Sequence, residues 1–208
     1  MKWYEAYVAD MKVSLFCNGL DNLLSKTGYE FSENDDWRDS DVIVVFSAKW
    51  DKAVAKITDI LKEEGSTASI NAAIFTEEAN DSSLFDLTIK TDEKNLASAL
   101  SDFLKLIDYY LYITPVDVGY ELSRRGAFTY VPTQEALNLL SVRETATSII
   151  ADSDDAIMLL EAGDEIFISD VENLTYELSE FTDDKRLTVA PLRTLPGERV
   201  RFSVMLKR

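Results

Sequence analysis

The sequence contains no histidine. Its absence removes Ser-His and Cys-His dyads, imidazole metal ligands and the commonest general base. Cys17 is the only cysteine, so an intramolecular disulfide is impossible and no structural zinc site can be assembled. A reducing cytoplasm is the simplest compartment for such a chain. Cys17 lies in the apolar run Val13-Ser14-Leu15-Phe16-Cys17, which predicts a buried thiol and not a nucleophile. No apolar stretch approaches the roughly 20 residues that span a bilayer, so no direct membrane insertion is expected. The opening residues, Met1-Lys2-Trp3-Tyr4-Glu5, lack the apolar segment of a signal peptide.

Glycine is equally scarce. The seven glycines stand at 19, 28, 65, 119, 126, 163 and 197, and no two lie within six residues of each other. No GxG, GxxG or GxxxxGK[ST] phosphate loop can be built from that spacing. Basic residues are also few: 21 Lys and Arg against 38 Asp and Glu, a formal net charge of −17. Such a charge disfavours nucleic acid and anionic membranes, and it favours basic protein partners. It also suits a salty cytoplasm.

What is present is enough for a real core. The chain has 208 residues, 46% of them hydrophobic, which fits one large domain or two small ones. Met11–Cys17 predicts a strand and Gly19–Lys26 a short helix, followed by an acidic, loop-like stretch from Glu30 to Asp41. Val42–Phe46 is a continuous β-branched and aromatic run, the pattern of a strand buried on both faces. Lys49–Glu64 places Ala53, Val54, Ile57, Ile60 and Leu61 on one helical face, and Gly65 is a suitable stop. Ala68–Phe75 predicts the next strand. Strand, helix, strand in that order implies a parallel sheet.

Leu84–Lys90 predicts a further strand. Asp92 looks like the cap of a long helix from Glu93 to about Leu111, apolar on the face of Leu96, Leu100, Phe103, Leu104, Ile107 and Leu111. That face is too apolar for a solvent linker, so the helix is expected to pack against both halves of the chain. Val116–Arg125 reads as a shorter helix. Ala127–Pro132 predicts a strand, with Thr133 capping a helix to about Ile150. Ala156–Glu161 is a strand and Ser169–Phe181 a helix with Val171, Leu174, Leu178 and Phe181 inward. Arg186–Leu192 and Arg199–Lys207 are strands, and the turn Leu195-Pro196-Gly197-Glu198 predicts a hairpin between them.

Several local runs are similar to the FtsZ/tubulin family. Ala156-Ile-Met-Leu-Leu-Glu-Ala-Gly163 with Asp164–Val171 resembles its "VLxNITGGxDLxLxEV" segment. Arg186–Leu192 and Gly197–Leu206 resemble "NIIFGAVID…DEVRVTVIA". Leu100-Ser-Asp-Phe103 and Ser123–Ala127 resemble "GISDLI…VRTVMxxxG". Asp41–Phe46 and Ile60–Gly65 resemble "DMVFVAA" and "IAKxxGA". The resemblance implies an α/β fold: a reduced Rossmann-like parallel half over residues 1–92, a long central helix with a connecting short helix over 93–125, and an α/β half with a mainly four-stranded sheet over 126–208.

The departures from the family are chemical. Its signature "GGGTGTG" should fall where this chain reads Ser47-Ala48-Lys49-Trp50-Asp51-Lys52. Glycines let backbone N–H groups close around phosphates without a Cβ clash, and this junction has none. The first glycine-rich turn is reduced to Cys17-Asn18-Gly19-Leu20-Asp21-Asn22, where Asn22 matches the family's nucleotide-contacting Asn. The catalytic loop "NxDxxD" aligns with Tyr112–Asp117, in which only Asp117 survives and Tyr112 and Thr114 replace the other polar groups. Asp117 then reads as a helix cap.

No catalytic residue, cofactor or metal is therefore expected. The acidic clusters Asp35-Asp36, Asp39–Asp41, Asp152–Asp155 and Asp183-Asp184 lack the spacing of an EF-hand and read as solvated loops. Arg124-Arg125 reads as an exposed helix end or a partner contact. Trp50, Thr114, Asp117, Arg124 and Arg125 are the interface candidates. Trp3, Tyr4 and Trp37 are further aromatic candidates, and Tyr109, Tyr110, Tyr112, Phe128 and Tyr130 read as packing. The expected function is non-enzymatic: self-assembly, or binding and modulating an FtsZ partner without GTP hydrolysis. The alternatives are a small acidic adaptor unrelated to FtsZ, or a histidine-independent α/β hydrolase.

Overall fold

The computed structural model describes residues 2–8, 10–34, 36–77, 83–109, 122, 125–181 and 186–207. The chain divides into two compact units, Met1–Phe128 and Thr129–Arg208.

The first unit is built on a parallel sheet with an antiparallel margin. Strand β1 (Lys2–Val8) pairs antiparallel with β2 (Met11–Asn18). Beyond β2 the sheet is parallel through β4 (Val42–Ser47), β5 (Ile70–Phe75) and β6 (Leu87–Lys90). The short β3 (Ser32–Glu33) covers part of the outer edge of β1, giving the order β3-β1-β2-β4-β5-β6. Parallel pairing of β4 with β5 is what the strand-helix-strand reading required. Strand β1 was missed because its buried Tyr4, Ala6 and Val8 alternate with Trp3, Glu5 and Tyr7, so Glu5 interrupts the apolar run.

The stretch from Glu30 to Asp41 is not simply solvated loop. It contributes β3, and Trp37 is buried with its ring stacked on Trp3 at 5.8 Å. Lys12 bridges Glu5 and Asp39 across the same region. Every residue of β4 is buried, as a continuous apolar run predicts. Ile43 and Val45 pack with Val54, Ile57 and Leu61 of α2 (Lys52–Glu64). Each such aliphatic side chain contributes about 2 kcal/mol of burial. Gly65 ends α2 at φ +72°, a backbone region that residues with a Cβ rarely enter.

Helix α1 covers only Asp21–Leu24. The central helix begins with a 3₁₀ turn, Glu93–Asn95, and continues as α3 (Leu96–Tyr109). Asp92 has the extended backbone of a cap, but its side chain makes no capping hydrogen bond. Helix α3 belongs to the first unit, where it packs on β1, β5 and α1. It buries Leu96, Leu100, Phe103, Leu104 and Ile107. Leu111 and almost all of the expected helix Val116–Arg125 lie outside the described residues.

In the second unit the strand order is β7-β10-β8-β9. Strand β7 runs Gly126–Ala136, β8 Asp155–Gly163, β9 Arg186–Leu195 and β10 Val200–Lys207. Helices α4 (Leu139–Ile150) and α5 (Ile168–Phe181) supply Val142, Ala146, Ile150, Val171, Leu174 and Leu178 to one core. The sheet answers with alternate residues in register: Ala156, Met158, Leu160 and Ala162 lie opposite Leu206, Val204, Phe202 and Val200. A one-residue slip of either strand would turn this set away from the two helices, which is what fixes the register.

Two expectations are corrected here. Thr133 does not cap a helix. It lies inside β7, and the cap of α4 is Asn138, whose side chain accepts the Ser141 N–H at 2.9 Å. The chain stays extended four residues longer than expected, past Pro132, because β7 pairs with β10 through Ala136. Nor do β9 and β10 form a hairpin. Strand β8 stands between them, parallel to β9 and antiparallel to β10. The turn at Pro196-Gly197 serves instead to lock onto the end of β8: Asp164 accepts the Gly197 N–H, and Glu165 donates its N–H to the Gly197 carbonyl. The fit is so close that a Cβ on Gly163 would come within 1.8 Å of the Gly197 oxygen.

Candidate functional site

In parallel α/β sheets, ligands bind at the carboxyl ends of the strands. Here Asn18 and Ser47, the last residues of β2 and β4, are direct neighbours in the parallel register. The two loops that leave them, Gly19–Leu20 and Ala48–Asp51, therefore start side by side.

The β4–α2 junction consumes its own hydrogen-bond donors. Asp51 caps α2: one carboxylate oxygen accepts the N–H groups of Ala53 and Val54 at 2.8 and 3.0 Å. Its other oxygen accepts the Asn18 side-chain amide at 2.8 Å. These bonds, led by the one from Val54, hold the Asp51 carboxyl below its ordinary range. The Trp50 N–H donates to the Glu77 carboxylate at 2.8 Å, and the Asp51 N–H to the Lys49 carbonyl. The Ala48 carbonyl is held by the backbone N–H and hydroxyl of Thr76. Ser47 donates its hydroxyl to the Lys49 carbonyl.

A helix N-terminus is a ready anion site, because its first N–H groups and its dipole favour negative charge. In this chain the anion is already supplied by Asp51. A phosphate at the same place would have to displace that carboxylate, and it would stand near the Glu77 carboxylate as well. The residues present do not fit a phosphate cradle, although Lys49 and Lys52 are exposed beside it. Trp50 is half-buried, with its ring on Phe75 at 5.6 Å and edge-on to Phe85. Its bulk is anchored inward on the α2 core.

A shallow groove of about 720 Å³ lies next to the β2 loop, lined by Gly19, Leu20, Asn22, Leu23, Asp92, Glu93 and Lys94. Asn22 is thus on its wall, facing two carboxylates and one lysine from the start of the α3 segment. The Tyr4 hydroxyl donates to Asp21 at the head of α1 and draws the Asp21 carboxyl downward. Cys17 is buried beneath, and burial pushes its thiol up to about 11.

No family model matches the sequence, and no curated protein matches it at sequence level. Solved structures do match. FtsZ from M. jannaschii, solved as an empty dimer, matches with a TM-score of 0.55 at 10% identity, over 81% of this chain and 64% of that one. CetZ from Methanosaeta thermophila matches with a TM-score of 0.57 at 14% identity, over 82% of this chain and 62% of that one. GDP-bound CetZ1 from Haloferax volcanii matches at 0.50 and 10% identity, over 81% and 65%.

The chain has a divergent FtsZ/tubulin-like fold. It spans less than two thirds of the length of each of these three proteins.

Ser47–Lys52 forms the β4–α2 junction, from the last residue of β4 to the first of α2. Of the remaining site residues, Thr114, Asp117 and Arg124 lie outside the described residues, as does Tyr112. Arg125 is described, and it is not an exposed helix end: only 1% of it is accessible, with its guanidinium over the Phe128 ring at 5.7 Å. The glycine after it begins β7, so Arg125 is drawn into the packed base of that strand. Tyr4 and Trp37 are likewise buried, and Trp3 packs edge-on against Phe16. Among the described residues no three carboxylates or thiols converge to hold a metal ion, and no helix is long and apolar enough to cross a membrane.

Asn18, Thr76 and Glu77 were not singled out by sequence. The helix expected from Lys49 begins at Lys52, and Asp51 could have been recognised as its cap, since an acid stands two residues before Ala53, the first apolar residue of the helical face. Nothing local in the sequence ties Glu77 to Trp50, 27 residues earlier.

Proposed function

We propose that this FtsZ-fold chain acts through protein contacts and neither binds nor hydrolyses GTP. The observation that carries the reading is the Asp51 carboxylate seated on the N-terminus of α2, tied there by Ala53, Val54 and Asn18. A cap of this kind supplies the negative charge that a β- or γ-phosphate would otherwise provide. Missing glycines at 47–52 and the single carboxylate in Tyr112–Asp117 support the same conclusion. A one-sided loss would leave room for a nucleotide used as a structural ligand. Losses in both the cradle and the water-positioning loop do not.

The partner is either a second copy or a true FtsZ. The M. jannaschii FtsZ structure is that of a dimer, which supports association through this fold. The rim of the β4–α2 junction around Trp50 and the segment from Thr114 to Arg124 are the contact regions this reading favours, Arg125 being buried. A net charge of −17 argues against nucleic acid as the partner.

Calorimetry with GTP and GDP in the presence of magnesium tests the nucleotide half. No binding is expected up to millimolar ligand, and micromolar affinity overturns the reading. Sedimentation and FtsZ pelleting test the other half. Failure to self-associate, together with no effect on FtsZ polymers, removes the assembly function while leaving the loss of GTP chemistry standing.

A further inference from the structure

The second unit exposes an apolar cluster that its own core does not use. Leu137 is 91% accessible, Phe167 74% and Leu140 58%. These three side chains line one open groove of about 610 Å³ between the start of α4 and the start of α5. Large apolar groups left in water and gathered at one concavity mark an interaction site, whereas scattered ones do not. The core of this unit is complete without them, because Val142, Ala146, Val171 and Leu174 on the same two helices already fill it.

Charge around the groove is one-sided. Glu165, Asp170 and Glu198 line it, and none of the three is in an ion pair among the described residues. Arg143, the only basic residue in the lining among the described residues, is taken by Glu177 at 3.2 Å. An apolar floor with an uncompensated acidic rim selects an occupant of opposite pattern. A second copy of this chain would bring its own excess of 17 negative charges. We propose that this groove docks a short amphipathic segment of another protein, with apolar side chains on one face and Lys or Arg on the flanks. Leu137, Leu140 and Phe167 take the apolar face, and Glu165, Asp170 and Glu198 take the cations. Helix-in-groove docking of this kind uses anchors spaced three and four residues apart. The site is separate from the β4–α2 junction, so it stands whether or not that junction binds nucleotide.

The test uses the whole chain and a fluorescein-labelled helical peptide with leucines on one face and lysines on the other. Anisotropy is expected to give a Kd on the order of 10 μM. The double variant Leu140→Ser/Phe167→Ser should weaken binding by about tenfold or more, with circular dichroism unchanged, since both side chains are exposed. Glu165→Lys/Glu198→Lys should do the same. A peptide with glutamates in place of lysines, or with serines in place of leucines, should not bind measurably. Equal binding by the Leu140→Ser/Phe167→Ser protein overturns the proposal, because it leaves only attraction of a cation to an acidic chain. So does a dimer of the natural protein that this variant abolishes, since the groove is then filled by a second copy.

Discussion

The side-chain amide of Asn18, at the end of β2, donates to the Asp51 carboxylate at 2.8 Å, while the opposite oxygen of Asp51 caps α2. One carboxylate thus ties a strand end to a helix start.

Removing that carboxylate has a defined cost. Asp51→Ala should lower stability by about 1 kcal/mol in urea unfolding, and Asp51→Asn by clearly less, since asparagine also caps. The pH dependence follows from the direction of the shift. Asp51 is held below its ordinary value of 3.8, so its contribution is present above that value and is lost as pH falls through the lower folded one. The difference between natural and Asp51→Ala proteins should be level near neutrality and shrink below about pH 4. A difference that grows on acidification rules out the cap as its source.

Cys17 offers a probe of opening. Its thiol rises from 9.0 to about 11 through burial. Between those values the unfolded chain ionises and the folded chain does not, so stability should fall as pH rises through that window. Thiol labelling at neutral pH should be slow in the folded protein and should accelerate with urea along the unfolding curve. Rapid labelling without denaturant would mean that β2 is not packed as described.

A largely buried ion pair of the second unit lies across β8 and β10. Arg201 binds both oxygens of Glu161 at 2.9 Å, and Thr194 of β9 donates its hydroxyl to the same carboxylate. The Glu161 side chain is only 4% accessible. Arg201→Ala should destabilise by about 2 kcal/mol, because it leaves a buried carboxylate short of its donors. Arg201→Met with Glu161→Leu should recover much of that loss. If the double change is as harmful as the sum of the single ones, the pair is not the coupled unit that the geometry describes.

Much of the fold was legible because its strongest elements carry one-dimensional signals. Val42–Phe46 could only be a doubly buried strand, and the apolar stripe Val54–Leu61 could only be a helix laid on it. The antiparallel margin was less so, since β1 gains its burial from alternate residues paired to β2. The placement of β9 and β10 was misread for a related reason. A Pro-Gly turn between two strands looks the same whether they pair with each other or flank a third, and β8 comes from earlier in the chain.

For the site, the sequence by itself determined what chemistry is missing: no histidine, no clustered glycines, no second carboxylate within Tyr112–Asp117. Those are facts of composition and spacing, and folding cannot supply a residue that is not there. Only the tertiary structure decided what stands in the vacated positions. Asp51 meets Asn18 because β2 and β4 run parallel and end in register, and Glu77 meets Trp50 because β5 ends beside them. Arg125 was likewise assigned to the interior and Leu140 and Phe167 to the surface by packing. Hydrophobicity favours burial of each residue singly, but which residues find a place inside depends on how strands and helices fill the space between them.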